Sequence, residues 1–326
     1  MRRLLGFELC GMWNDLMPAC VRIGTRGSKL ALWQANWVKS AIEAGHPSLE
    51  VEITVIKTRG DKILDVPLAK IGGKGLFVKE IEEALLARRI DMAVHSMKDM
   101  PADLPGGLCV GAIPARETPH DVLIAKDGRR LSELKKGSRI GTSSLRRAAQ
   151  LLFARPDLSI TPLRGNLDTR LRKLEAGEMD AIVLAAAGMK RMGMAGKISE
   201  YLDASVMLPA AGQGALCIET REDDEMIGRI AAELDHRETR MAVTGERAFL
   251  HRMGGSCQVP IAAYGKISGD RYCLTGLVAQ IDGSECLREE GEGPVAETER
   301  IGITLAERLV EMGAERILKQ LQQDQV

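Results

Sequence analysis

The fold class is decided by residues 139–176, which read RIGTSSLRRAAQLLFARPDLSITPLRGNLDTRLRKLEA. The apolar runs near Ile140 and at 158–162 are typical of short buried strands. Residues 145–154 and 167–176 have the apolar spacing of amphipathic helices, and each follows a strand. This alternation predicts βαβ units, in which helices cover both faces of a parallel sheet.

The same alternation extends in both directions along the chain. Further strands are predicted at 21–24, 51–56, 92–94, 121–125 and 181–184, and further helices after Ser28 and at 78–89. Two stretches rich in Pro, Gly and small residues, 113–119 and 208–214, are predicted to be hinges where the chain crosses between two lobes.

The pattern changes after about Asp235. A helix at 239–252 is followed by strands at 261–267, 272–281 and 285–290, and a final helix runs from about residue 296. We therefore expect an α/β fold with two doubly wound lobes and a small α+β C-terminal domain. The expected boundaries are 21–114 with 212–235 for domain 1, 115–211 for domain 2 and 236–326 for domain 3.

Composition excludes several classes of protein. The 45 acidic and 45 basic residues of this 326-residue chain balance, so no overall positive field predicts nucleic-acid binding. The seven cysteines are widely spread and lack the paired spacing of a zinc site or a disulfide framework, as expected for a reducing cytoplasm. We predict no metal site, no signal peptide and no membrane span.

A local excess of positive charge lies in residues 139–173. Its basic members are Arg139, Arg146, Arg147, Arg155, Arg164, Arg170, Arg172 and Lys173, against the acidic Asp157 and Asp168. Several of these cations stand in the first turn of a predicted helix, where they oppose the helix dipole. Such an arrangement favours a bound anion. The alternative is a solvated charged surface.

A second candidate site follows the strand at 92–94. Asp99 beside Lys98 is a candidate acid/base carboxylate next to an anion contact, because ligands bind at the carboxyl ends of strands in open α/β sheets. The alternative is a surface ion pair. His95 is interpreted as a hydrogen-bonded strand end. The stretch Gly72–Gly75 before Phe77 resembles a mobile, glycine-rich lid and lacks the residues of a phosphate-binding P-loop.

Cys257 lies in the run Gly-Gly-Ser-Cys-Gln-Val-Pro at 254–260. Glycines before it and a proline after it predict a tight, exposed turn. Because most unpaired cysteines are buried, a cysteine presented on a turn is a candidate site of covalent attachment. The alternative is a cysteine that stands in a turn without a function.

Taken together, these motifs resemble the porphobilinogen deaminase family, and they run in the family's order from about Val21 to the C-terminus. They are Arg22–Arg26, Thr58–Asp61, Gly72–Phe77, His95–Asp99, Gly141–Arg147, Arg164–Asn166, Leu208–Gly214 and the turn at Cys257. Residues 1–20 lie outside the resemblance and are expected to be an N-terminal extension, with Met17 as an alternative start.

The resemblance implies two lobes similar to type II periplasmic-binding-protein domains, and a covalently bound dipyrromethane cofactor on Cys257. It implies a hydroxymethylbilane synthase that condenses porphobilinogen, with Asp99 as the catalytic residue that stabilises the cation formed when ammonia leaves. The residues implied to hold the cofactor are Lys98, Ser144, Arg146, Arg147 and Arg170. Those implied to meet the substrate are Arg26, Ser28, Arg164 and Arg191, with Lys74 and Phe77 in the lid.

The resemblance also implies a cytoplasmic monomer with porphobilinogen as its partner, and a transient hand-over of product to the next enzyme of the pathway. Two rival functions remain open at this point. A two-lobed binding protein for a carboxylate or oxyanion would explain the arginines and hinges but leaves Cys257 unused. A cysteine-nucleophile hydrolase is weaker, because no histidine is obviously placed to activate the thiol.

Overall fold

The computed structural model describes residues 20–62, 77–254 and 259–323, which form three sheets and the helices that cover them. Cys257 and Lys74, which the sequence analysis named as site residues, therefore lie outside the described ranges. The N-terminal extension before Cys20 lies outside them as well. Within the described ranges, no helix is both long enough and apolar enough to cross a bilayer.

The first sheet has the strand order β2-β1-β3-β10-β4. Its strands are β1 (Cys20–Thr25), β2 (Glu50–Val55), β3 (Met92–Ser96), β4 (Leu108–Ala112) and β10 (Leu216–Arg221). β1 is parallel to β2 and β3, whereas β10 is antiparallel to β3 and β4. Buried Val21, Ile23 and Val94 form part of its core.

The second sheet repeats this arrangement in the order β7-β6-β8-β5-β9. Its strands are β5 (Asp121–Ala125), β6 (Arg139–Gly141), β7 (Ser159–Thr161), β8 (Ala181–Ala185) and β9 (Glu200–Tyr201). β6 is parallel to β7 and β8, whereas β5 is antiparallel to β8 and β9. Each sheet therefore has a parallel trio flanked by a strand of opposite direction.

The helices of the two lobes follow the ends of these strands. They are α1 (Lys29–Gly45), α2 (Arg59–Lys62), α3 (Lys79–Leu86), α4 (Leu145–Ala154), α5 (Leu167–Glu175), α6 (Ala186–Arg191) and α7 (Glu225–Ala232). Ser28 caps α1 by accepting a hydrogen bond from the N–H of Ala31 at 3.2 Å. Asn166 caps α5 in the same way, so polar N-caps mark where these helices begin.

The expectation of parallel sheets is corrected by β5 and β10. Each of these strands follows a crossing between the lobes and runs antiparallel to both of its neighbours. The first crossing leads from β4 to β5, and the second leads from β9 to β10. In the second crossing Gly214 has φ +89° and lies so close to the carbonyl oxygen of Glu117 that a side chain would collide with it. That close approach requires glycine.

The C-terminal part combines three antiparallel strands with three helices in the described residues. Its elements are α8 (Arg237–Arg252), β11 (Ile261–Ser268), β12 (Arg271–Ala279), β13 (Cys286–Pro294), α9 (Thr298–Glu311) and α10 (Ala314–Gln323). Phe249, Tyr272 and Leu305 are fully buried between sheet and helices. The single final helix expected from residue 296 is two helices, because Gly313 with φ +104° interrupts it. The predicted fold class is otherwise confirmed.

Candidate active site

A pocket in the first lobe lies where two strands end. β1 ends at Thr25, so Arg26 and the N-cap Ser28 stand at the carboxyl edge of the sheet. β3 ends at Ser96 and continues as a tight turn, Met97–Asp99. Arg26, Ser28, Phe77 and Asp99 line one common pocket. The structure thus brings together the predicted carboxylate, two predicted substrate contacts and one predicted lid residue.

The ring of Phe77 packs against the guanidinium group of Arg26 in this pocket. The guanidinium carbon of Arg26 is 4.2 Å from the centre of the Phe77 ring, within the range of a cation–π contact. Phe77 also precedes α3, so this contact connects the wall of the pocket to a helix. The other predicted lid residue, Lys74, lies outside the described residues.

Lys98 points away from the pocket wall towards the second crossing. Its Nζ donates a hydrogen bond to Oε1 of Gln213 at 3.3 Å. Burial lowers the pKa of Lys98 to about 8, and the positive charge of Arg147 acts in the same direction. Asp99 and Asp121 oppose that shift. An anion placed beside Lys98 would favour its charged form.

Arg146 and Arg147, in the first turn of α4, converge on a carboxylate that the sequence analysis missed. Nη1 of Arg146 donates to Oδ2 of Asp121 at 2.7 Å, and Nε of Arg147 donates to Oδ1 at 2.9 Å. Asp121, on β5, is fully buried. Burial disfavours its charge, yet the two guanidinium groups hold the pKa of Asp121 well below its usual range. Asp121 therefore balances part of the positive charge that had been assigned to a bound anion.

Both arginines are also anchored to the backbone of domain 2. Arg146 donates to the carbonyl oxygen of Leu208 at 2.7 Å, and Arg147 donates to that of Val183 at 2.9 Å. Ser144 caps α4, and its hydroxyl accepts from the N–H of Arg147 at 3.4 Å. The carboxylate of Asp121, the backbone carbonyl groups of Leu208 and Val183, and the Ser144 cap therefore all fix the first turn of α4.

Arg164 lies in the loop after β7, and Arg170 lies in helix α5, which follows that loop. Nε of Arg170 donates to the carbonyl oxygen of Gly165 at 2.8 Å. Burial lowers the pKa of Arg170 to about 10, and the charges of Arg147 and Arg164 add to this effect. The charge of Asp99, from the other lobe, opposes it.

These residues form one charged cluster across the two lobes. Its members are Lys98, Asp99, Asp121, Arg146, Arg147, Arg164 and Arg170. Asp99 is the exposed carboxylate of the cluster, and it faces a half-buried lysine and a half-buried arginine. A cleft of this kind can bind a ligand that carries several carboxylates.

Arg191 lies apart from this cluster, at the second crossing. Its Nη2 donates to the carbonyl oxygen of Gly214 at 2.8 Å, and its guanidinium carbon is 5.9 Å from the centre of the Trp33 ring. Burial lowers the pKa of Arg191, and the charge of Glu117 opposes that shift. Arg191, at the end of α6, therefore contacts the second crossing and helix α1 of the first lobe.

His95 has the structural role that its position indicated. Its Nε2 is 3.1 Å from Oε2 of Glu219, and both side chains are buried. Among the described residues, no group of three or more potential ligands is arranged to hold a metal ion. The five described cysteines are free, and Cys257 itself falls in the undescribed residues between α8 and β11.

Comparison with known proteins identifies a single family. A family model described as the dipyrromethane cofactor binding domain of porphobilinogen deaminase matches residues 21–229, and one for the C-terminal domain matches residues 240–311. The porphobilinogen deaminase of Syntrophotalea carbinolica is 55% identical over 94% of this chain and 97% of its own. That of Geobacter metallireducens is 54% identical over 95% of this chain and 98% of its own.

Among solved structures, several matches to this chain have low sequence identity. One is an extracytoplasmic solute receptor of Bordetella pertussis that binds pyroglutamic acid, 11% identical, with a TM-score of 0.39 over 71% of this chain and 83% of its own.

Proposed function

The chain belongs to the porphobilinogen deaminase family, and from this premise we propose that it is a hydroxymethylbilane synthase of tetrapyrrole biosynthesis. This transferase deaminates porphobilinogen, joins the pyrrole units head to tail on a covalently bound dipyrromethane and releases the linear tetrapyrrole with water. The observation that carries the proposal is the position of Asp99, which lines the pocket of Arg26 and Ser28 and faces the cations of the charged cluster.

The charged cluster fits the dipyrromethane cofactor, which carries acetate and propionate side chains. Burial and like charge lower the pKa values of Lys98 and Arg170, so carboxylates placed between them would relieve unfavourable interactions. We assign to the cofactor the residues Lys98, Ser144, Arg146, Arg147 and Arg170. When bound, the cofactor would supply a nucleophilic pyrrole carbon.

Substrate binding is assigned to the pocket of the first lobe and to the facing loop. Arg26, Arg164 and Arg191 provide guanidinium groups for the two carboxylates of porphobilinogen, and the hydroxyl of Ser28 adds a hydrogen bond. Phe77 restrains Arg26 through the cation–π contact. With Lys74, it belongs to the segment that we propose to close over the pocket.

Asp99 then performs the chemical work of this chain. When ammonia leaves porphobilinogen, the remaining methylene-pyrrole is a cation, and a carboxylate beside the pyrrole N–H stabilises it. The arginines of the pocket hold the carboxylates of the substrate and so orient its ring beside Asp99.

The attachment of the cofactor to Cys257 is tested by the intact mass of the purified protein. We expect a covalent increment of two pyrrole units, which Cys257→Ala removes together with all synthase activity. Cys273→Ala is the matched control, since Cys273 is a free cysteine of the same domain, and it should keep the adduct and the activity. An unmodified wild-type chain that binds a carboxylate ligand would instead support the rival binding protein.

The finer features of the organisation are also proposals. We propose a cytoplasmic monomer that hands its product to the next enzyme of the pathway. The domain boundaries proposed are those expected above, 21–114 with 212–235, 115–211 and 236–326. The discontinuous domain 1 is supported by β10, which lies in 212–235 and pairs with β3 and β4 in the first sheet.

A further inference from the structure

Three titratable side chains are buried beneath the pocket of the first lobe and have no place in the mechanism above. His95 on β3 and Glu219 on β10 lie on the same face of the sheet, with side chains 3% and 0% exposed. Their Nε2 and Oε2 atoms are 3.1 Å apart. The second oxygen of Glu219, Oε1, is buried and has no hydrogen-bond partner within the described part of the chain.

Glu82 joins this pair from helix α3, which covers that face of the sheet. Its residue is 7% exposed, and its Oε1 is buried without a hydrogen-bond partner in the described ranges. Burial raises the pKa of Glu82 to about 7, the charge of Glu219 adds to this effect, and His95 opposes it. Glu82 is therefore a buried carboxyl group that exchanges a proton near neutral pH.

Short stretches of backbone connect His95 and Glu82 to the residues that line the pocket. His95 itself lines the pocket, and β3 leads within four residues to Asp99. The N–H of Glu82 donates to the carbonyl oxygen of Val78 at 2.9 Å, so the first turn of α3 continues directly into Phe77 and Val78, which also line the pocket. A displacement of α3 would move Phe77 relative to Asp99.

The charged groups around this cluster have other partners or add negative charge. Arg221, two residues beyond Glu219 on β10, is bound to Asp224 and to the carbonyl oxygens of Leu85 and Ile90. Glu83, the neighbour of Glu82 on α3, is exposed and negative, and its charge raises the pKa of Glu82 further. Burial strongly raises the pKa of Cys217 on β10, which keeps that thiol neutral. Of the cations on α8, Arg240 is bound to Asp235 and Arg247 to the carbonyl oxygens of Pro101 and Ala102.

The charge of Glu82 then decides the state in which the cluster is stable. An ionised Glu82 places a negative charge away from water and near the carboxyl group of Glu219, which is unfavourable unless the site opens to solvent. The unpartnered oxygens of Glu82 and Glu219 would gain water by such an opening.

We propose that Glu82, His95 and Glu219 are positioning residues for the porphobilinogen pocket, which hold α3 and Phe77 against the strand leading to Asp99 only while the carboxyl group of Glu82 is protonated. The inference rests on the proposed function. Its consequence is that substrate binding weakens as the pH rises through neutrality, although none of the three residues needs to touch the substrate.

The test compares Glu82→Gln with Glu83→Gln, the same change at the next, exposed position of α3. Amide replacement at position 82 fixes the neutral form. For a single group that titrates near 7, we expect the KM of wild type for porphobilinogen to rise about tenfold between about pH 6 and pH 8. Glu83→Gln should show the same rise with its midpoint at slightly lower pH, because the charge of Glu83 no longer raises the pKa of Glu82. The ratio of the Glu83→Gln to the Glu82→Gln value of KM should rise by that factor, with kcat little affected.

Thermal unfolding provides a second readout that does not need substrate. The folded-state pKa of Glu82 is raised above 4.5, so its stabilising contribution is present at low pH and is lost as the pH rises through about 7. Glu82→Gln should therefore lose less Tm than Glu83→Gln between about pH 6 and pH 8.

Parallel pH profiles of KM and Tm for the two variants would overturn the positioning role. That outcome is distinct from failure of the proposed function, which would appear as a wild-type chain without a dipyrromethane adduct and without activity. A Glu82→Gln protein that fails to fold while Glu83→Gln folds would also count against the proposal, because the neutral form is the one it requires.

Discussion

At the scale of single residues, the carboxylates of Asp99 and Asp121 differ in burial and in partners. Asp121 is fully buried and bound by Arg146 and Arg147, so its charge serves the structure of domain 2. Asp99 is exposed in the pocket, so its charge is available to a bound molecule. Two aspartates within one field of arginines thus have different roles because their burial differs.

Asp99→Asn keeps the size of the side chain and removes its charge. We expect it to retain the Cys257 adduct and to bind porphobilinogen, but to lose about 10²-fold or more in turnover, as removal of one preorganised electrostatic group commonly does. Single-turnover deamination measures this directly. The control is Asp103→Asn, an exposed aspartate paired with His251 on the surface, which should deaminate at the wild-type rate. A wild-type rate for Asp99→Asn would reduce Asp99 to a surface partner of Lys98.

At the scale of elements, helix α4 has positively charged side chains at its N-terminus, where the helix dipole is also positive. Two arginines occupy its first turn, where cations are unfavourable by a few tenths of a kcal/mol each. The cap by Ser144 and the carboxylate of Asp121 offset this cost, and they fix where both guanidinium groups point. The usual preference for negative charge at a helix N-terminus is therefore not followed in α4, where the chain is proposed to hold its cofactor.

Asp121→Asn should show how much α4 depends on that carboxylate. Two buried guanidinium groups would lose their counter-charge, so we expect the free energy of unfolding in urea to fall by about 3–5 kcal/mol. The purified variant should also carry less adduct. Asp127→Asn, at an exposed ion pair with Arg129 just after β5, should change stability by less than about 1 kcal/mol.

The pH dependence of Asp121 has a definite sign. Its folded-state pKa is lowered, so its stabilising contribution is present above the usual carboxyl range and is lost only as the pH falls through the lower folded value. Equal stability of the Asp121→Asn and wild-type proteins at neutral pH would show that the two arginines do not need this partner.

At the scale of the whole molecule, Glu246 on α8 connects both crossings to the C-terminal sheet. Its carboxylate accepts hydrogen bonds from Arg116 in the first crossing at 2.6 Å, from the N–H of Gly212 in the second at 2.7 Å and from that of Gly265 on β11 at 2.9 Å. The side chain is 0% exposed. The proposed hinges therefore meet at one buried anion.

Glu246→Gln retains one acceptor oxygen and removes the charge opposite Arg116. We expect a loss of about 3 kcal/mol in the free energy of unfolding, because a buried guanidinium is left without its counter-charge. Chemical denaturation followed separately by near- and far-ultraviolet circular dichroism would measure it. Glu238→Gln, at an exposed site in the first turn of the same helix, should cost no more than about 1 kcal/mol. A similar small loss in both variants would show that the junction does not depend on this ion pair.

The sequence by itself determined the local elements, because apolar periodicity and polar caps act within one or two turns. Helix α4 was predicted with both of its ends, and β5 with both of its bounds. The motifs also identified the family and placed Asp99 and Lys98 at a strand end. Cys257 was identified from its turn alone, and it remains a prediction.

Only the tertiary structure decided which strands pair and which charges are buried. β10 joins the first sheet from beyond the second crossing, and no local signal in Leu216–Arg221 specifies its partners or its direction. Asp121, Glu82 and Glu219 have the appearance of ordinary acidic residues in the sequence. They become a counter-ion and two buried carboxyl groups because burial, and therefore the cost of charge, depends on contacts between residues far apart in the chain.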